Sequence, residues 1–259
     1  MRSFKAGTAK VEVYPDAVSM GNSAASAVAK AIKEIEARHE TINVIFATGA
    51  SQLDMLDALT KMKDLPWNKV RGFHMDEYIG LPIQHPASFR RYLREKLTDK
   101  VPLKEFNEVD GTTSDPEVFS LKYAAKLHVA EPQLCLMGIG ENGHLAFNDP
   151  GAADFNDPAD VKVVQLDLMC REQQAAEGWF ASAAGVPERA ITITIPALLR
   201  VPRLIVSVPG PRKAHIVRRS LTEAISTDCP ATILRTHSDA TIYLDNASAA
   251  ELHDVFVMS

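Results

Sequence analysis

Four stretches of this chain place chemistry-bearing residues directly after apolar, β-branched runs. The densest runs from Gly138 through Gly140, Glu141, Asn142, Gly143 and His144 to Asn148, Asp149 and Pro150, so that a histidine sits among three glycines with a carboxylate five residues on. A histidine beside a carboxylate works as an oriented proton shuttle near neutral pH, because the carboxylate fixes its tautomer and supports the imidazolium. The glycines at 140 and 143 suit a backbone that must approach a small ligand. Formally the stretch also contains G-x-G-x-x-G, the dinucleotide fingerprint, which requires a helix to follow at once. Asn148-Asp149-Pro150 closes it after little more than one turn, and proline disfavours helical geometry at the residue before it, so no nicotinamide or flavin cofactor is expected.

The second stretch is Asp76-Glu77 within FHMDEYIGL. Adjacent side chains on extended backbone project to opposite sides, so one carboxylate faces a crevice and the other the protein. Asp76 is thereby a candidate general base, the bland alternative being a solvated or structural pair. The third is the turn Thr48-Gly49-Ala50-Ser51, leading from an apolar run into a helix. Such a turn offers backbone N–H groups and the positive end of the helix dipole to a phosphate, or is simply a connection with Ser51 as N-cap. The fourth is Val208-Pro209-Gly210-Pro211-Arg212-Lys213, with Pro211 suited to a first helical turn. A lysine at a helix start opposes the macrodipole unless an anion lies nearby, so Lys213 is either a phosphate or carboxylate ligand or a solvated side chain. The eight histidines are dispersed, with no HExxH or paired Cys/His spacing, and no metal is expected.

These residues need elements to hold them. Apolar runs alternate with segments of helical period, which predicts an α/β fold with a parallel sheet covered by helices. Strands are expected at Lys10 to Tyr14, Asn43 to Ala47, Val70 to Met75, Gln133 to Ile139, Val161 to Gln165, Ile191 to Ile195, Leu204 to Val208 and Thr241 to Leu244. Helices are expected at Ser23 to Arg38, with Ala24, Val28, Ile32 and Ile35 on one face, and at Leu53 to Leu59. Further helices are expected at Ser88 to Lys96, Pro116 to Val129, Cys170 to Trp179 and Pro211 to Leu221. Ligands of open α/β sheets bind at the carboxyl ends of strands, where all four stretches fall. The polar segment GAADFNDPAD, residues 151–160, reads as a mobile or functional loop.

The chain has 259 residues, enough to bury a core without disulfide or metal staples, and no internal repeat or linker divides it, so residues 1–259 are read as a single domain. With 28 Lys+Arg against 33 Asp+Glu and no basic block, neither nucleic acid nor an anionic membrane is an expected partner. Three dispersed cysteines and the lack of a signal-peptide core point to reduced thiols in the cytoplasm.

The motifs FHMDEYIGL, followed by HPASF, and MGIGENGHLAFNDPG resemble the two signature regions of the glucosamine-6-phosphate deaminase family, and the likeness extends from TGAS to HSDATIYLD. The second motif separates these deaminases from the related 6-phosphogluconolactonases. The resemblance implies a modified Rossmann-like, three-layer α/β/α domain that converts an amino-sugar phosphate to a ketose phosphate and ammonia without a cofactor. It implies Asp76 as the base moving the C2 proton and His144 as the group assisting ring opening, with Asn142 and Asp149 orienting it. Lys213 and Thr48, Gly49, Ala50 and Ser51 correspond to phosphate-binding elements.

Departures accompany it. The family turn is usually TGGTP, Asp149 stands where Glu is usual, and the family's phosphate-binding Arg before an aromatic pair falls here on Glu177 and Gly178. Loss of a bidentate Arg is a large change for phosphate recognition, leaving Arg171, Arg212 or Arg90 to compensate, or a different substrate. The alternatives are a related sugar-phosphate isomerase, a lactonase-like hydrolase and a non-catalytic sugar-phosphate sensor. Association into a homo-oligomer is left open.

Overall fold

The computed structural model describes residues 1–176 and 178–252. Its strands are β1 (Arg2–Ala6), β2 (Ala9–Tyr14), β3 (Ile42–Phe46), β4 (Val70–His74), β5 (Asp76–Tyr78), β6 (Glu105–Asn107), β7 (Leu134–Met137), β8 (Val161–Gln165), β9 (Arg189–Ile193), β10 (Arg203–Val208) and β11 (Ala240–Asp245). Its α-helices are α1 (Ala17–Glu36), α2 (Leu53–Thr60), α3 (Phe89–Leu93), α4 (Pro116–Ala130), α5 (Leu168–Ala176), α6 (Ile195–Leu199) and α7 (Ala214–Thr222). Eight strands form one sheet in the order β1-β2-β11-β10-β7-β3-β4-β6, parallel throughout except for β1. A second, antiparallel sheet has the order β5-β9-β8.

The expected parallel α/β architecture is what forms, and the strand sequences show why. INVIF of β3 and LCLM of β7 are buried at every position, as central parallel strands covered on both faces must be. Alternation then sorts the side chains. Val44, Phe46, Leu134, Leu136 and Ile205 join α1, α2 and α3 in one core. Ile45, Cys135, Met137, Leu204 and Val206 join α4 and α7 in the other, which gives helix, sheet and helix layers. On α1 the predicted face holds, with Ala24, Val28 and Ile32 buried and Ile35 partly so. Asp16 caps that helix by accepting from Ser19 N at 2.7 Å, and Asp115 caps α4 likewise from Val118 N at 2.9 Å.

A third core fills the space between the small sheet and α5. Tyr78, Phe147 and Phe89 meet there, with ring centroids 5.1 Å apart for Tyr78–Phe147 and 5.6 Å for Phe89–Phe147. The two sheets meet at Met75. Its N–H donates to Phe46 O at 3.2 Å, while its carbonyl accepts from Ile193 N at 3.1 Å, so the next residue, Asp76, hangs at the seam.

Some expectations are corrected. The helix expected over Ser88 to Lys96 is α3 with Ser88 as its cap, followed by a π turn at Arg94–Thr98. The segment from Pro211 opens with a 3-10 turn before α7, and α5 ends at Ala176, before Gly178 and Trp179, while Glu177 lies outside the described residues. The stretch 151–160 is a string of turns held by local bonds, Ala152 and Ala153 N donating to Asp149 O and Thr194 Oγ1 donating to Ala159 O. The edge strands β1 and β6 are short or polar and carry no apolar run that marks them in the sequence.

Candidate active site

Because β3, β4, β7 and β10 run parallel and lie side by side, their carboxyl ends open on one side of the sheet. A cleft of about 280 Å3 lies there. Of the sequence candidates, Thr48, Gly49, Ala50, Ser51, Asp76, Gly140, His144 and Lys213 all line it. Asn142 and Asp149 stand behind His144, and Gly143 shapes the loop, its N–H donating to Gly140 O at 3.0 Å, without reaching the cleft wall.

The β7 loop is cross-braced. His144 Nδ1 lies 2.9 Å from Asp149 Oδ1. Asn142 holds both partners: its Oδ1 accepts from His144 N at 3.0 Å and its Nδ2 donates to Asp149 Oδ1 at 3.0 Å. The ring packs so tightly over Gly140 that a Cβ there would stand 2.3 Å from imidazole atoms, so only glycine fits. Downstream, Asn148 Nδ2 donates to Leu145 O and Ile193 O at 2.7 and 2.9 Å, which pins the loop to β9 and holds Ala146 at φ 50°, a value that a residue with a Cβ rarely adopts. Burial works to raise the Asp149 pKa, but the His144 ring and the Asn142 amide together hold it below the usual carboxylate range.

The paired carboxylates separate as their alternation requires. Glu77 is fully buried and acts as a brace, accepting from Tyr78 N, Ser88 Oγ, Phe89 N and Arg90 N at 2.8 to 3.2 Å. Asp76 faces the cleft and is only 6% exposed. Burial, reinforced by the charges of Glu77 and Asp149, pushes its pKa up to about 8. A carboxyl poised near neutrality is suited to taking a proton from carbon-bound hydrogen beside a carbonyl.

Two similar turns flank the β7 loop. Gly49 and Gly210 have φ of 93° and 92°, and each leads through a 3-10 turn into a helix, α2 and α7. Tyr92 Oη donates to Gly49 O at 2.9 Å, and the buried Asp245 carboxylate accepts from Gly210 N at 3.0 and 3.1 Å. The first helical N–H groups of such a turn have no intrahelical acceptor, which makes them donors for an anion.

Among the arginines weighed from sequence, two are elsewhere. Arg171 is directed to Ala183 O at 3.0 Å and Glu188 at 3.5 Å, and Arg90 is committed to Asp110, Leu81 O and Glu77, so neither lines the cleft. Arg212 does line it, with Nε 2.8 Å from Glu141 Oε1. Sequence reading missed Asp167, which caps α5 and lies 3.4 Å from Asn142 Nδ2, and Gln173, Gln174 and Trp179, which line the α5 side of the cleft. An Asp before a helical run is a readable cap signal; nothing marked the glutamines. His144, Asp149 and Cys170 bring one metal-ligand atom each within 4.8 Å of one another. Burial and the neighbouring Asp149 and Asp167 drive the Cys170 thiol well above its ordinary range.

A doubly covered parallel sheet whose strand ends gather a braced His–Asp pair, a perturbed carboxyl and two anion-type turns has the makings of an acid/base enzyme site, and the comparisons give the family. The family described as glucosamine-6-phosphate isomerases/6-phosphogluconolactonase matches residues 15–243, and the chain belongs to it. It is 34% identical over 222 residues to a glucosamine-6-phosphate deaminase of Exiguobacterium sibiricum, covering 86% of each chain. To one of Bacillus thuringiensis it is 32% identical over 238 residues, 89% of this chain and 88% of the relative. Its fold is similar, with TM-score 0.84 and 28% identity over 93% of this chain and 99% of the other, to a monomeric glucosamine-6-phosphate deaminase described as a missing link of the NagB superfamily. The 6-phosphogluconolactonase of Trypanosoma brucei shares the fold at TM-score 0.78, with 17% identity over 93% of this chain and 98% of the other.

Proposed function

We propose that the protein converts glucosamine 6-phosphate, or a close amino-sugar phosphate, to fructose 6-phosphate and ammonia. The observation that carries this reading is that Asp76 and His144 line one cleft between two anion-type turns, with Asp149 and Asn142 bracing the histidine. In the reading, the phosphate lies between the Thr48–Ser51 and Gly210–Lys213 turns and the sugar extends toward the β7 loop. His144 moves a proton between the ring oxygen and O1 as the ring opens. Asp76 takes the C2 proton and returns it to C1 of the enolamine, so that no net proton is gained. Water then adds to the C2 iminium carbon and ammonia leaves, which balances one water consumed against one ammonia released. The positioned pair supplies the acid/base chemistry and the turns supply orientation.

The reading needs no second subunit, because every residue named comes from one chain. A cytoplasmic setting fits its three free, buried cysteines, Cys135, Cys170 and Cys229. Among the described residues no helix is long and apolar enough to cross a membrane.

The test is to measure ammonia and ketose phosphate released from glucosamine 6-phosphate, galactosamine 6-phosphate and unphosphorylated glucosamine. Equal release of both products from one of the phosphates is expected. Isomerised sugar without ammonia, or binding with no product, would refute the deaminase reading in favour of an isomerase or a sensor.

A further inference from the structure

We propose that Arg212 is the guanidinium that takes the substrate's phosphate, and that Glu141 pairs with it until substrate binds, as an internal stand-in for that anion. The inference rests on the phosphate-ended substrate proposed above and assigns the group that makes the cleft select for it.

Arg212 is the single arginine among the described residues lining the cleft, and it precedes Lys213 on the turn that the Asp245 carboxylate secures through Gly210 N. The turn is thus fixed while the side chain, half exposed, retains freedom to reorient. Its partner Glu141 comes from the β7 loop. There the backbone is anchored, because Glu141 N donates to Gln173 Oε1 at 2.9 Å, so the carboxylate is presented to Arg212 from a set position. A carboxylate against a cation in a cleft wall marks the spot where an incoming anion finds its countercharge.

Exchange favours the phosphate. A half-exposed ion pair is weakly held, whereas a phosphate offers a planar guanidinium two oxygens in parallel and carries more charge than a carboxylate. The freed Glu141 side chain, already more than a quarter exposed, turns to solvent. An unphosphorylated sugar has nothing to exchange and leaves the Arg212–Glu141 pair closed, so the pair rejects neutral sugars as well as recruiting charged ones. In this arrangement the guanidinium approaches from the α7 side of the cleft, compensating for the family arginine absent near Gly178.

The experiment measures KM for glucosamine 6-phosphate and the inhibition constant of inorganic phosphate in wild type, Arg212→Gln, Arg212→Lys, Glu141→Gln and the Arg212→Gln/Glu141→Gln double variant. Loss of a charge-assisted, two-point contact is expected to raise both constants about 10- to 100-fold in Arg212→Gln, with partial recovery in Arg212→Lys. Glu141→Gln is expected to lower both about 3- to 10-fold by removing the competitor, and that gain is expected to vanish in the double variant. Unchanged constants in Arg212→Gln, or weaker phosphate binding in Glu141→Gln, overturn the proposal. If the wild type turns over none of the sugars, the deaminase reading falls; calorimetric titration with inorganic phosphate then decides separately, binding lost in Arg212→Gln upholding the anion site and equal binding overturning it.

Discussion

The two ends of the cleft are built differently. At the His144 end each group is braced by another: Asn142 grips both His144 and Asp149, Gly140 floors the ring, and Asn148 ties the loop to β9. Toward the Gly210 turn the groups are looser, with Arg212 half-exposed and its partner Glu141, from the start of the β7 loop, more than a quarter exposed. Proton transfer tolerates little displacement, whereas anion binding is satisfied by several donor arrangements. Departures from the residues that the resemblance leads one to expect fall at both ends. The turn reads TGAS and Glu177-Gly178 stand where an arginine is expected, while the brace on His144 carries Asp149 where Glu is usual.

The largest expected effect is at the braced end. Asp76→Asn should lower kcat by about 1000-fold or more, since general-base catalysis contributes roughly 100- to 10,000-fold. Because the Asp76 pKa is raised to about 8, kcat/KM of the wild type should climb with pH and level off above that value. The same shift works against stability. Between the ordinary carboxylate range and about 8 the unfolded chain releases this proton while the folded protein keeps it, so stability falls as pH rises through that window. Asp76→Asn should accordingly melt higher than wild type at pH 8, by about 2–4 °C per kcal/mol recovered. A lower melting temperature would show that Asp76 is a structural brace like Glu77.

Next comes Asp149→Asn, expected to reduce kcat about 100-fold with little change in KM, because an amide cannot support the imidazolium. A variant that moved KM alone would erase the distinction between the ends. Asp245→Ala should do the reverse, raising KM about 10-fold through a loosened Gly210 turn while kcat changes less. Smallest is Trp179→Ala: the ring is 37% exposed at the rim, and KM is expected to stay within about 3-fold of wild type.

Sequence made the sheet and the braced end legible for the same reason. Buried parallel strands are continuous apolar runs, and a Gly-rich loop carrying His144 at a strand end has few structural uses. Opposite projection of Asp76 and Glu77 followed from extended backbone alone. What stayed hidden depended on long-range contact. Arg171 and Arg212 look equivalent as letters, yet packing directs one to Ala183 O and Glu188 and the other to the cleft. The short strand β5 was unreadable because its pairing partner, β9, lies more than a hundred residues away. Gln173 likewise gained its place from Glu141 N, a contact that no local pattern announces.

The seam at Met75 carries a consequence for how activity and folding are coupled. One residue, Met75, bonds the large sheet through its N–H and the small sheet through its carbonyl, and the base is the very next residue. Separation of the small sheet from the large one would displace Asp76 while leaving the parallel strands intact. In mild denaturant, turnover should therefore disappear together with exchange protection of the Ile193 amide, ahead of the amides of β3 and β7, making this single residue the fuse of the enzyme.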